Sequence, residues 1–126
     1  MVAIGVDTHK SSLAACAIDG LGRSLAERSF ANSAAGHRAF EQWLRVLPLP
    51  RRVGIEGSGS FGAALAQRLA AADEDVREVP VILTHREPRR IGRPGKCDPA
   101  DALAIARVVP REERLPAVRD RSPTAT

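Results

Sequence analysis

The sequence has two cysteines, one tryptophan, three phenylalanines and no tyrosine in 126 residues. Cys16 and Cys97 are far apart, with neither CxxC spacing nor a histidine cluster beside them. That excludes a zinc knuckle and a disulfide scaffold, and both are expected to be reduced thiols. No apolar run approaches the roughly 20 residues that cross a bilayer. The N-terminus, MVAIGVDTHK, lacks the basic-then-apolar plan of a secretory signal, so a cytoplasmic protein without a membrane partner is expected. There is no internal repeat, and the length allows one core but not two.

What is present is basic charge, unevenly placed. The formal net charge is +4. Residues 84–126 carry ten basic and six acidic groups, whereas 61–83 carry two and four. Arg86, Arg89, Arg90, Arg93 and Lys96 face only Glu87, in a stretch broken by Pro88, Gly92, Pro94 and Gly95. Residues 84–97 therefore read as a basic loop suited to nucleic-acid phosphate, or as an ordinary solvated loop.

Apolar runs at 2–6 and 13–18, each closed by an aspartate, predict two strands, and 24–30 predicts a third that completes an antiparallel meander. A helix follows, capped by Asn32 or Ser33. Phe40, Trp43, Leu44 and Leu47 recur at helical spacing, placing two of the few aromatics in the core rather than on a base-stacking platform. Val53–Ile55 predicts a strand ending at Glu56, then a glycine-rich turn, a helix through Phe61, Leu65 and Leu69, and a short strand at 76–79. Asp98-Pro99-Ala100-Asp101 opens a buried final helix to Val109, and 110–126 reads as a polar, disordered tail. This order predicts an α/β domain over residues 1–109, a mixed five-stranded sheet flanked by helices.

Each acidic residue has a plain structural reading: Asp7 a turn, Glu56 a charged strand end, Asp98 and Asp101 a helix opening. Together they carry more. A fourth strand lying parallel to the first puts Asp7 and Glu56 at neighbouring C-terminal ends, and a helix crossing that edge adds Asp98 and Asp101. Crowded carboxylates repel unless a cation neutralises them, and Mg²⁺ or Mn²⁺ would do so with oxygen ligands.

Gly5-Val6-Asp7-Thr8-His9-Lys10, Glu56-Gly57-Ser58-Gly59 and Gly95-Lys96-Cys97-Asp98-Pro99-Ala100-Asp101-Ala102-Leu103-Ala104-Ile105-Ala106-Arg107 resemble the three motif blocks of the DEDD-type insertion-sequence transposases. The resemblance runs over about residues 2–118. It implies a RuvC-like, ribonuclease-H-type fold and a catalytic, metal-binding tetrad of Asp7, Glu56, Asp98 and Asp101, with Lys10 and Lys96 near phosphate. It also implies DNA as substrate, an element-encoded guide RNA, oligomeric assembly, and a second, C-terminal domain with a nucleophilic serine. Nothing in these residues matches that second domain, so the expectation is a truncated transposase domain, inactive alone. Ser11, Ser12, Ser58 and Ser60 do not take the nucleophile's role, and Cys97 stands where the family usually has a hydroxyl.

Three other readings remain. Gly57-Ser58-Gly59-Ser60-Phe61-Gly62 is a literal GxGxxG with Glu78 about 20 residues on, as a dinucleotide site would have, although Glu56 would oppose a pyrophosphate. Sugar kinases and actin-like ATPases also start with a strand ending in Asp, but need a second lobe. A non-enzymatic remnant that binds nucleic acid or metal is the remaining alternative. Among the histidines, only His9 lies close enough to Asp7 to support it; His37 and His85 read as ordinary surface positions.

Overall fold

The computed structural model describes residues 1–84 and 99–121. Five strands form one sheet: β1 (Val2–Thr8), β2 (Ser12–Ile18), β3 (Ser24–Ala31), β4 (Arg51–Glu56) and β5 (Val76–Glu78). The helices are α1 (Ala34–Arg45), α2 (Ala63–Ala71), α3 (Val81–Thr84) and α4 (Pro99–Arg111). Strand order is β3-β2-β1-β4-β5. The β1–β2 and β2–β3 pairs are antiparallel, whereas β1–β4 and β4–β5 are parallel.

β1 and β2 are apolar over residues 2–6 and 13–18 because both of their faces are covered there. Val2, Ile4 and Val6 join Val53, Ile55, Phe40, Leu44, Leu65 and Leu69 in a core with α1 and α2. The residues between them turn the other way. Ala3, Ala14, Cys16 and Ile18 meet Ala102, Ile105, Ala106 and Val109 of α4 in a second core. β3, by contrast, is exposed along most of its length, with Phe30 turned inward. Phe30, Phe40 and Trp43 pack with ring centroids 5.3–5.7 Å apart, so these aromatics are core. Ser33 caps α1 by accepting the Gly36 N–H at 3.2 Å.

A pair of glycines brings α4 close. Gly5 and Gly54 are register partners on β1 and β4. A Cβ on Gly5 would lie 2.2 Å from Ala102 O and from Ala106 N, and one on Gly54 2.4 Å from a Val109 methyl. The helix therefore lies on bare backbone, and the small Ala102 and Ala106 complete the fit.

Two expectations change. The final helix runs past Val109 to Arg111, with Pro110 in its last turn. The tail from Pro110, expected to be disordered, is placed against the sheet through Arg121. Glu78 N–H donates to Pro116 O and Val118 N–H to Val76 O, both at 2.8 Å, and Ala117 bridges Arg77. These bonds cover the open edge of β5, which would otherwise leave its backbone groups unpaired. Gln67 fastens the described part of the tail through Arg119 O and the Arg121 N–H, and residues 122–126 lie outside the described residues. A four-residue helix, α3, also precedes the expected loop. Residues 85–98, which hold nearly all of that loop, lie outside the described residues. No helix among the described residues is long and apolar enough to cross a membrane.

Candidate functional site

Strand alternation decides which way the acidic side chains point. Val6 and Ile55 face the α1/α2 core, so their successors Asp7 and Glu56 point to the α4 face. They are also direct register partners at the C-terminal ends of β1 and β4. α4 crosses above with Asp101 in its first turn, one residue before the Ala102 carbonyl that lies against Gly5. The three carboxylates thus lie at the same end of the sheet, near enough for the charges of Asp101 and Glu56 to act on Asp7.

Their electrostatics agree with this placement. Asp7 is 8% exposed. Burial pushes its pKa above the ordinary value; His9 pulls it down, and the charges of Asp101 and Glu56 push it up again. His9 Nε2 lies 3.1 Å from Asp7 Oδ2, where it donates to the carboxylate. Glu56 is held at two points. Its carbonyl accepts from Thr8 Oγ1 at 2.9 Å, and its Oε2 accepts from Thr84 Oγ1 at 2.7 Å.

Glu78, one strand over, completes the acidic edge. It follows Arg77 in β5, and Ile55 is its register partner. Its Oε2 accepts the Ser58 N–H at 3.0 Å, and Gly57 contributes a second backbone N–H. Burial raises the Glu78 pKa, those two amides lower it, and Glu56 raises it. Gly57 makes this turn possible with φ +85°. The amides that a dinucleotide pyrophosphate would need are therefore occupied by the chain's own carboxylate, which argues against the GxGxxG reading.

Asn32, a candidate cap in the sequence, instead ties three segments together. Its Nδ2 donates to His9 O and Phe61 O, and its Oδ1 accepts from His37 Nε2, all at 2.8 Å. His37 is buried rather than at the surface, and burial holds its pKa low. Lys10 is exposed in the β1–β2 turn and lines a groove of about 680 Å³ with Asn32, Phe61 and Arg68.

Asp98 and the basic residues Arg86, Arg89, Arg90, Arg93 and Lys96 lie outside the described residues, as does Cys97. Among the described residues no three His, Cys, Asp or Glu side chains come close enough to hold a metal ion. In chemistry the donor set still fits a hard divalent cation. It consists of carboxylate oxygens, and their mutual repulsion at a buried Asp7 is what such an ion would relieve. Thr84 and Glu78 are neighbours of Glu56 that sequence reasoning missed in these places. Thr84 gives no signal at all; Glu78 was visible only as the acid of a dinucleotide motif.

Comparison with known proteins follows the geometry. Two Thermus thermophilus RuvC structures are similar in fold. One, RuvC in complex with a Holliday junction substrate, gives a TM-score of 0.63 at 18% identity, covering 93% of this chain and 99% of that one. The other, RuvC, gives 0.61 at 19% identity with the same coverage. The fold is therefore RuvC-like, of the ribonuclease-H type. No curated protein matches the chain in sequence. Residues 4–126 match the IS110-type DEDD transposase family, described as a transposase. With the motif blocks at Asp7, Glu56 and Asp101 inside that span and the fold agreeing, the chain belongs to the IS110-type DEDD transposase family.

Proposed function

We propose that this domain holds divalent metal, Mg²⁺ or Mn²⁺, with Asp7, Glu56, Asp98 and Asp101 and acts on DNA phosphodiesters as the nuclease-like part of a recombinase. The observation that carries the reading is the register pairing of Asp7 with Glu56 beneath Asp101, on the face of the sheet that α4 crosses. Bound divalent ions would supply Lewis-acid stabilisation of the attacking and leaving oxygens of the phosphodiester. The chain's own residues supply the rest. His9 holds Asp7 by a hydrogen bond, and Thr8 fixes the Glu56 backbone. Lys10 and the basic residues Arg86, Arg89, Arg90, Arg93 and Lys96 bind the phosphates of the nucleic-acid backbone. The similar RuvC structure holds a Holliday junction substrate, which supports DNA as the partner.

Calorimetric titration with Mn²⁺ tests the metal arm: binding to the unmodified chain that is lost in Asp7→Asn is expected. NADH or ATP binding that survives the substitution would replace this reading with a nucleotide-binding one. For the DNA arm, Arg89→Ala with Arg90→Ala should weaken DNA binding and lower the salt slope by about 2, since each phosphate contact contributes roughly 0.9. An unchanged affinity and slope would remove the loop from the interface.

A second reading is binding without catalysis, in which the domain holds nucleic acid or metal but recombines no DNA alone. Strand transfer on adding a serine-bearing transposase domain in trans separates the two. Product formation supports the catalytic reading, and no product under any condition leaves the binding one.

A further inference from the structure

Thr84, the last residue of α3, is 0% exposed. A hydroxyl is seldom buried this completely, and when it is, its partners account for it. Thr84 Oγ1 lies 2.8 Å from Val81 O and 2.7 Å from Glu56 Oε2. The first acceptor is the one any helical threonine reaches in its own preceding turn, so it satisfies the hydroxyl without help from the rest of the fold. The second lies 28 positions earlier in the chain, on the acidic edge of the sheet. A hydroxyl has one proton and an ionised carboxylate can only accept, so the proton goes to the charged acceptor, where the hydrogen bond is stronger.

We propose that Thr84 is a positioning residue for Glu56. Its hydroxyl fixes the carboxylate on the α4 face, beside Asp7, in the orientation that metal binding requires. The proposal rests on the metal-binding reading of that edge and adds to it a residue outside the motif blocks. Glu56 has three rotatable side-chain bonds, and a hydrogen bond to its carboxylate narrows the choice among their rotamers. Thr8 holds the Glu56 carbonyl, which fixes the main chain but not the carboxylate. Thr84 acts on the carboxylate itself, and it does so from α3, an element anchored in turn where Val79 N–H donates to Ile55 O at 3.0 Å and Leu83 N–H to Pro80 O at 3.0 Å.

Thr84→Val, which keeps the shape and removes the hydroxyl, and Thr84→Ser, which keeps the hydroxyl, are compared with the unmodified chain. Two readouts are taken: the three-bond scalar couplings of the Glu56 side chain in metal-free protein, and Mn²⁺ affinity by calorimetry. The unmodified chain and Thr84→Ser should show one Glu56 rotamer, and Thr84→Val averaged couplings with affinity weakened roughly tenfold, the size of effect that orienting partners of metal ligands have. Averaged Glu56 couplings in the unmodified chain overturn the proposal whether or not Thr84→Val folds. So does Thr84→Val with both readouts unchanged, or Thr84→Ser behaving like Thr84→Val, which would assign the effect to packing. If the unmodified chain binds no Mn²⁺ while Thr84→Val still frees the Glu56 side chain, the metal reading fails and the positioning role stands.

Discussion

The two ends of the parallel strands use the same residue types to opposite effect. Where β4 and β5 begin, every named carboxylate has an arginine. Arg51 bonds Glu74 at 2.6 and 3.1 Å, and Asp75 accepts from Arg52 at 2.7 Å and from Arg77 at 2.8 Å. Burial pushes the Asp75 pKa up, but Arg77 and Arg52 outweigh it and hold it below the ordinary value. Where β1, β4 and β5 end, Asp101 and Glu56 bear on Asp7 from the α4 face, Glu78 lies beside Glu56 on the other face, and Asp7 and Glu78 are pushed up. One end is electrostatically balanced and contributes to holding the fold; the other buries carboxylates beside like charges. Carboxylates in structural ion pairs and carboxylates at a candidate site are told apart by such partners, not by residue type.

The largest predicted effect removes the geometry that builds the acidic end. Gly5→Val would drive a side chain into the α4 backbone at Ala102 and Ala106. It should cost about 3 kcal/mol or prevent folding, by urea denaturation, because backbone cannot yield as a side-chain tip can. If the variant folds, α4 and Asp101 move away from Asp7, and Asp7 loses part of its upward pKa shift.

Next in size is a break at the balanced end. Arg51→Ala leaves Glu74, whose side chain is 16% exposed, without its guanidinium. The expected loss is about 2 kcal/mol, since a largely buried charge left alone costs more than a surface pair is worth. A loss near zero would mean that this end is solvated and that the contrast between the ends is overstated.

Asp7→Asn should act in the opposite direction. In metal-free protein at neutral pH it removes a buried charge among like charges, raising Tm by roughly 4 °C. The two ends should also differ in their response to acid. A raised pKa means that the folded protein binds the proton more tightly, so the Asp7 contribution to stability improves as pH falls through its folded pKa towards 3.8. A lowered pKa does the reverse: the Asp75 contribution is present above 3.8 and is lost as pH falls through its folded value. Comparing acid melts of Asp7→Asn and Asp75→Asn with the unmodified chain reads both signs. Identical acid profiles for the two variants would erase the distinction.

Much of this was legible in the sequence because the informative residues sit where backbone periodicity acts on them. β1 and β2 were visible as apolar runs since both faces are buried. The neighbouring placement of Asp7 and Glu56 was visible since each ends such a run, and parallel pairing then makes them register partners. Asp101 followed from its place in the first turn of an apolar helix. What escaped depends on backbone or on single contacts. The tail bonds β5 through Pro116 O and the Val118 N–H, which carry no side-chain signature. α3 is four residues long, too short to show a period. Thr84 reaches Glu56 only through the folded chain, and Glu78 points into its own glycine turn rather than at a ribose. Gly5 and Gly54 lie inside predicted strands, and their role depends on a helix about 50 to 100 residues away.

The most direct test of the central claim is where Mn²⁺ goes. Substoichiometric Mn²⁺ broadens amide resonances near its binding site in a two-dimensional ¹H–¹⁵N spectrum. Selective loss at Thr8, Gly57 and Ala102, with Arg52 and Asp75 spared and the effect abolished in Asp7→Asn, is the predicted result. Broadening centred on Glu74 and Asp75, or spread evenly over the chain, would contradict the account.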